Sequence, residues 1–174
     1  MRLVLLSSLL LTLLAGCRPA PEEGAFEGPG WSEEEGFLVE ADQLLVGLTY
    51  LQVRNAPEPG NRFGELANTI GEGIYASEPE GWVGAAFRNQ GKLHWWTMTV
   101  WESEEAMVDW MVSEHHGQAM QEIGDVAIRA KSTNVWRPVD ELPMSWDEAT
   151  SIIDGLDWYT HPKMSQEDQQ DPPD

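Results

Sequence analysis

Three of the four histidines and a group of indoles supply the residue types from which chemistry can be built in this chain. His115 and His116 are neighbours; on a helix they diverge by about 100° and do not easily share one metal ion. With Met107 as the reference direction, Glu114, His115 and Gln118 fall on the same broad helix face as Trp110 and Met111. Polar groups on a mostly apolar face read in two ways. As pocket residues, they include a histidine that titrates near neutral pH and can take a phenolic proton before oxygen attacks the ring, which makes His116 or His115 the catalytic candidate. As the last turns of a helix leaving the core, they are solvated or cap its end, where a cationic imidazole favours the dipole. His94 shares a strand with Trp96 and Met98, and either faces a pocket with them or starts the strand at the sheet edge. Trp96, Trp110, Met98, Glu114 and Met120 are the candidate lining of a pocket for a small hydrophobic or aromatic ligand. Arg54, Arg88, Arg129 and Arg137 fall near strand ends and either hold a carboxylate ligand or balance nearby acids. Neither zinc-ligand spacing nor a phosphate loop, a Ser-His-Asp order or a carboxylate pair stands out, so no metal site is expected.

The charge narrows the partners. Of 174 residues, 30 are Asp or Glu and 10 are Lys or Arg, a formal charge of −20. Such a chain is repelled by a phosphate backbone, which excludes sequence-independent nucleic-acid binding. Met1-Arg2, the apolar run Leu3 to Leu14, and Leu14-Ala15-Gly16-Cys17 follow the pattern of a signal peptide over residues 1–17. At about 1.5 Å per residue the run is too short to cross a hydrocarbon core of about 30 Å. The four residues ending at Cys17 resemble the bacterial lipobox. That resemblance implies an acylated (palmitate-bearing) Cys17, a membrane anchor and a cell-envelope location, with Arg18 pointing to the outer membrane of a two-membrane host. Cys17 is the one cysteine, so its lipidation leaves no thiol for a disulfide, a metal or nucleophilic catalysis. Residues 18–42 hold eight acids and few large apolar groups, and read as an acidic flexible tether on which Trp31 and Phe37 can dock. Residues 157–174 read as an acidic disordered tail.

Between them, residues 43–156 read as one domain. Leu44 to Val53 is an apolar run bounded by the Pro and Gly residues of 56–60, which predicts a buried strand. Phe63, Leu66, Ala67, Ile70 and Ile74 recur at helical spacing and predict a helix of about three turns closed before Pro79. Trp82–Arg88 and Leu93–Trp101 are strands joined across Asn89-Gln90-Gly91 as a hairpin. Ser103 N-caps a helix predicted to run to about Gln121 and to end at Gly124. A last strand from Val126 reaches about Trp136, and Ser145-Trp146-Asp147-Glu148 is the capping box of a helix to Gly155. This β-α-β-β-α-β order predicts a ferredoxin-like α+β fold, a four-stranded antiparallel sheet with two helices on one face. Along the third strand Leu93, Trp95, Thr97, Thr99 and Trp101 point one way, while His94, Trp96, Met98 and Val100 point the other. Both faces carry large apolar groups, so the face away from the helices needs a cover, either a second subunit packed sheet to sheet or a bound ligand.

The stretch from His94 to Met120, HWWTMTVWESEEAMVDWMVSEHHGQAM, resembles the antibiotic-biosynthesis-monooxygenase superfamily of dimeric α+β barrels. Thr99-Val100-Trp101-Glu102-Ser103 matches its strand end, and Glu105-Ala106-Met107 with Trp110 matches the helix that follows. Ser113 to His116, followed by Ala119-Met120, is similar to a poorly characterised branch. The resemblance implies a homodimer whose two sheets form a barrel, with a pocket between sheet and helices in each subunit. It implies a monooxygenase-like oxidoreductase that acts on a small planar aromatic, either without a cofactor or linked to haem, with Trp110 and Trp96 as the pocket wall. The alternative is a non-catalytic lipoprotein that holds a hydrophobic molecule or haem. In haem-degrading members a Trp on this helix lies against the porphyrin and a His ten positions later ligates iron. Trp110 matches the first and Met120 stands at the second, and their first-strand Asn has no match among Thr49, Tyr50 and Gln52.

Overall fold

A computed structural model describes residues 24–91 and 93–158. The signal peptide and Cys17, and the tail beyond Trp158, lie outside the described residues. Among the described residues no helix is long and apolar enough to cross a membrane.

In chain order the elements are β1 (Phe26–Glu27), β2 (Trp31–Ser32), β3 (Gly36–Phe37), β4 (Gln43–Val53), α1 (Pro57–Ser77), β5 (Trp82–Gln90), β6 (His94–Trp101), α2 (Glu104–Met111), α3 (Glu114–Val126), β7 (Ala127–Pro138) and α4 (Trp146–Asp154). The β-α-β-β-α-β order from β4 to β7 is the ferredoxin-like arrangement. Two helices differ from their expected bounds. α1 begins at Pro57, inside the stretch expected to be a loop, because Pro57 and Pro59 lie in a first turn whose N–H groups have no intrahelical acceptor anyway. The single helix expected after Ser103 is two helices. Val112 closes α2, and the extended Ser113 opens α3 with its Oγ accepting from His116 N at 3.4 Å. The α3 helix then passes through Gly124 to Val126, because Ala127 enters β7 directly.

The sheet is antiparallel, with strand order β1-β5-β6-β4-β7. It has one strand more than expected, because residues 24–42, expected to be a tether, pack on the domain. Gly24 N donates to Phe87 O at 2.8 Å and Gly30 N to Val83 O at 2.9 Å. Between them β1 pairs with β5 at Ala85 and Ala86. A Cβ at Gly28 would overlap the Gly84 Cα and the Val83 carbonyl, so this crossing needs two glycines face to face. Phe26, Trp31 and Phe37 lie 4.8–5.6 Å apart as one ring cluster, while Glu33, Glu34 and Glu35 are exposed at the tip of the β2–β3 hairpin. These three acids are solvated where they stand, while Phe26, Phe37 and Val39 are spaced so that they dock on the sheet and Leu38, 50% exposed, is left outside. Composition averages over that spacing.

Alternate residues of the central strands pack on two separate covers. Leu45, Trp82, Ala85 and Trp101 meet Ile74 of α1 and Met107 and Trp110 of α2, and Leu51, Val53, Ala127 and Ala130 meet Phe63 and Ile123. On the opposite side, Leu44, Val46, Leu48, Trp96, Met98 and Val100 are buried under Met144, Ala149 and Ile153, with Phe26, Phe37 and Val39 against the same cluster. Both large apolar faces predicted for β6 are therefore present. The second is covered by the chain's own α4 and N-terminal segment, in the place where a second subunit was expected.

Candidate functional site

Register across β5, β6, β4 and β7 sets the floor beneath the helices. One row reads Phe87, Thr97, Thr49, Ser132 and the next reads Ala85, Thr99, Gly47, Asn134. Apolar rows bound them: Trp101, Leu45 and Trp136 on one side, Trp95, Leu51 and Ala130 on the other. Thr49, Thr97 and Thr99 are half-buried and Ser132 and Asn134 exposed, although they stand on interior and neighbouring strands. This is a strip of neutral hydroxyls and one amide that solvent reaches. Trp101 Nε1 donates to Thr99 Oγ1 at 2.9 Å, which leaves the Thr99 hydroxyl proton for another acceptor. Gly47 keeps the strip open, since a Cβ there would stand 2.8 Å from Thr99 Oγ1 and 3.8 Å from Met107 Sδ. Trp136, 48% exposed, stands at the rim.

From this floor a chain of contacts leads to the histidines. Trp101 and Met107 share a cluster with the buried Trp110, and Trp110 lies 6.3 Å from the His115 ring and 6.4 Å from that of His116. His115 is exposed and lies on the bare backbone of α1, where a Cβ on Gly73 would come within 2.7 Å of its Cγ. His116 is half-buried, and its Nδ1 lies 3.1 Å from the Met111 carbonyl. A carbonyl only accepts, so Nδ1 carries the proton and the neutral ring presents a bare Nε2. Burial pushes the His116 pKa below the usual histidine range, against a smaller upward pull from that carbonyl. Burial thus favours the neutral imidazole over the cation, relative to an ordinary histidine. The same contacts show that the Ser-x-x-His spacing is also a structural joint: Ser113 caps α3, while His116 satisfies a carbonyl at the end of α2.

The expected pocket lining does not come together. Trp96 and Met98 face α4, whereas Trp110 faces α1 and the sheet on the other side, so Trp96 and Trp110 do not form one wall. Glu114 is exposed at the start of α3, and Met120 is 39% exposed. The face shared by Met107, Trp110, Glu114, His115 and Gln118 assumed one straight helix, and the break at Val112–Ser113 removes that premise. His94 joins Tyr50 on the α4 side, its Nδ1 2.7 Å from the Tyr50 hydroxyl. Among the arginines, Arg137 pairs with Glu148 at 2.9 Å. The haem arrangement that the resemblance implied is not assembled around Trp110: the exposed Met120 stands apart from the Trp110 cluster, and His115 rests on α1. Among the described residues no three His, Cys, Asp or Glu are grouped to hold a metal ion. Sequence reasoning passed over Thr49, Thr97, Thr99 and Asn134. Their signal was the run of small hydroxyl residues interrupting an otherwise apolar strand face.

Residues 50–122 match the model of the antibiotic biosynthesis monooxygenase family. That stretch of the chain is similar to the family. The match spans β4 from Tyr50 through most of α3, and so takes in Thr97, Thr99, Trp110 and both histidines. The chain is also similar, at low identity, to several solved structures. A Pseudomonas aeruginosa protein, PA3566, is 11% identical over 55% of this chain and 94% of its own, with a TM-score of 0.48. A conserved Bacteroides thetaiotaomicron protein is 13% identical over 56% of this chain and 100% of its own, with a TM-score of 0.47. A variant of SnoaB, a cofactor-independent oxygenase from Streptomyces nogalater, is 12% identical over 60% of this chain and 100% of its own, with a TM-score of 0.41. No curated protein matches the chain.

Proposed function

We propose that the helix face is a cofactor-independent oxidation site for a small planar phenol, carried on a domain anchored to the cell envelope through a lipid on Cys17. The observation that carries the catalytic reading is the solvent-reached strip of Thr49, Thr97, Thr99 and Asn134 beneath α2, in a domain similar to the monooxygenase family. Hydroxyls and an amide between indole-bearing rows suit a flat substrate with phenolic oxygens, oriented by hydrogen bonds and sandwiched by apolar contacts. His116 Nε2 takes the phenolic proton, and the electron-rich phenolate reacts with dioxygen at a ring carbon that bears hydrogen. One oxygen atom stays as a quinone carbonyl and the other leaves as water. The substrate supplies all the electrons, so no external reductant is needed.

The test is turnover of a panel of phenols and anthrones by residues 18–174 under isotopically labelled dioxygen. One labelled oxygen per product is expected, and His116→Gln should slow the reaction about 100-fold, the lower end of general-base contributions. An unlabelled product, its oxygen drawn from water, or an unchanged rate in His116→Gln, would overturn the reading. The anchor rests on the residue 1–17 pattern, and Cys17→Ser should move the protein from the membrane to the soluble fraction. A sheet-to-sheet homodimer is not part of the proposal, because α4 and residues 24–39 occupy that face. Sedimentation of residues 18–174 should give the mass of one chain.

A further inference from the structure

Two rows at one end of the α4 face depart from the apolar rows above them. Across β5, β6, β4 and β7 they read Arg88, Trp96, Tyr50, Lys131 and then Gln90, His94, Gln52, Arg129. In a chain of net charge −20, three cations thus converge on one end of one face. Lys131 is 8% and Arg129 7% exposed. The Arg88 guanidinium sits 5.2 Å from the Trp96 ring and 4.9 Å from the Trp146 ring, and Trp158 lies 4.3 Å from both Arg129 and Lys131. Arg88 Nη2 donates to Thr150 Oγ1, and Lys131 Nζ to the Asp154 carbonyl. Neither cation has a carboxylate partner among the described residues. Arg88 Nε and Trp96 Nε1 are buried, and neither has an acceptor there.

Two unspent N–H donors beside each other, with a buried ammonium in the same row, are costly unless an acceptor is supplied. We infer that this end of the α4 face is a carboxylate-binding site, with Arg88 and Trp96 as its hydrogen-bond donors and Lys131 as its charge. It is separate from the proposed oxidation site, because it lies on the other side of the sheet. The carboxylate has two sources. One is a free aromatic acid, whose ring meets the surrounding indoles. The other is the chain's own acidic end, Glu167, Asp168, Asp171 and Asp174, which follows Trp158 in sequence.

The experiment follows the Trp96 indole N–H resonance, assigned by its loss in Trp96→Phe, during titration with benzoate at constant ionic strength. It uses residues 18–174 in two forms: the natural sequence, and one with Glu167→Gln, Asp168→Asn, Asp171→Asn and Asp174→Asn. A saturable shift in both forms identifies a free acid. A shift only in the neutralised form, whose resonance already differs from that of the natural sequence before titration, identifies the tail. In either case Arg88→Gln should weaken binding about tenfold, with Lys131→Met as the second variant should Arg88→Gln fail to fold. A resonance that moves in neither form, or that moves equally in Arg88→Gln and Lys131→Met, overturns the inference.

Discussion

On the helix side, the sheet keeps neutral hydroxyls and an amide in its middle rows, with indole-bearing rows above and below. On the α4 side the middle rows are apolar and sealed apart from Thr133 on the edge strand, and the cations stand at the ends, Arg137 paired with Glu148 at one and Arg88, Lys131 and Arg129 at the other. The same strands present both surfaces, because successive side chains alternate. The difference teaches where each cover does its work. α1, α2 and α3 leave part of their floor reachable, whereas α4 and the N-terminal segment close theirs. Openness on one side is compatible with a folded domain because burial on the other holds the strands in place.

That contrast can be broken in four places. The largest effect is expected from Ile153→Ala, which hollows the sealed side under α4: Ile153 is 1% exposed, and the loss should be about 3 kcal/mol in urea unfolding. A loss within error would show that α4 is not integral to the core. Gly28→Val strikes the same cover at its other half. The crossing with Gly84 has no room for a side chain, so a loss of about 2 kcal/mol should come with faster proteolysis within residues 24–39. Unchanged cleavage there would mean that the strand crossing is not what holds the segment. On the open side, Ser113→Ala removes the cap of α3 and should cost about 1 kcal/mol, read as a lowered melting temperature.

The smallest effect is a pH dependence. The pKa of His116 is lowered by burial in the fold, so the unfolded chain takes up its proton first as the pH falls. The resulting stabilisation is complete above the ordinary histidine pKa of about 6.5. It is lost as the pH drops from there towards the depressed folded value. His116→Gln should flatten this slope in urea midpoints measured across mildly acidic pH, and an unchanged slope would assign the pH dependence to another group.

Much of this frame was legible in the residues. The alternation of β6 predicted two apolar faces, and the capping serines Ser103 and Ser145 marked the starts of α2 and α4. What was not legible depended on contacts between distant parts of the chain. Ser113 has the same capping chemistry as those two, but an apolar periodicity running past it concealed the break. Residues 24–42 looked like a tether because acids dominate their average, and the docking of Phe26 and Phe37 depends on a face that only the folded sheet provides. The candidate site divided for the same reason. Trp96 and Trp110 are both large, buried and close in sequence, yet strand alternation and helix placement put a sheet between them.

The sealed side also bears on when the domain can finish folding. Its cover comes from the two ends of the described chain, and Trp146 Nε1 donates to the Gly24 carbonyl across 122 residues of sequence. Contacts between such distant segments are entropically costly to close and form slowly. During synthesis from the N-terminus, β4 to β7 emerge with one face still bare, and α4 follows as the last described element. The growing chain therefore stays incomplete, with that apolar surface unsatisfied, until α4 has been made.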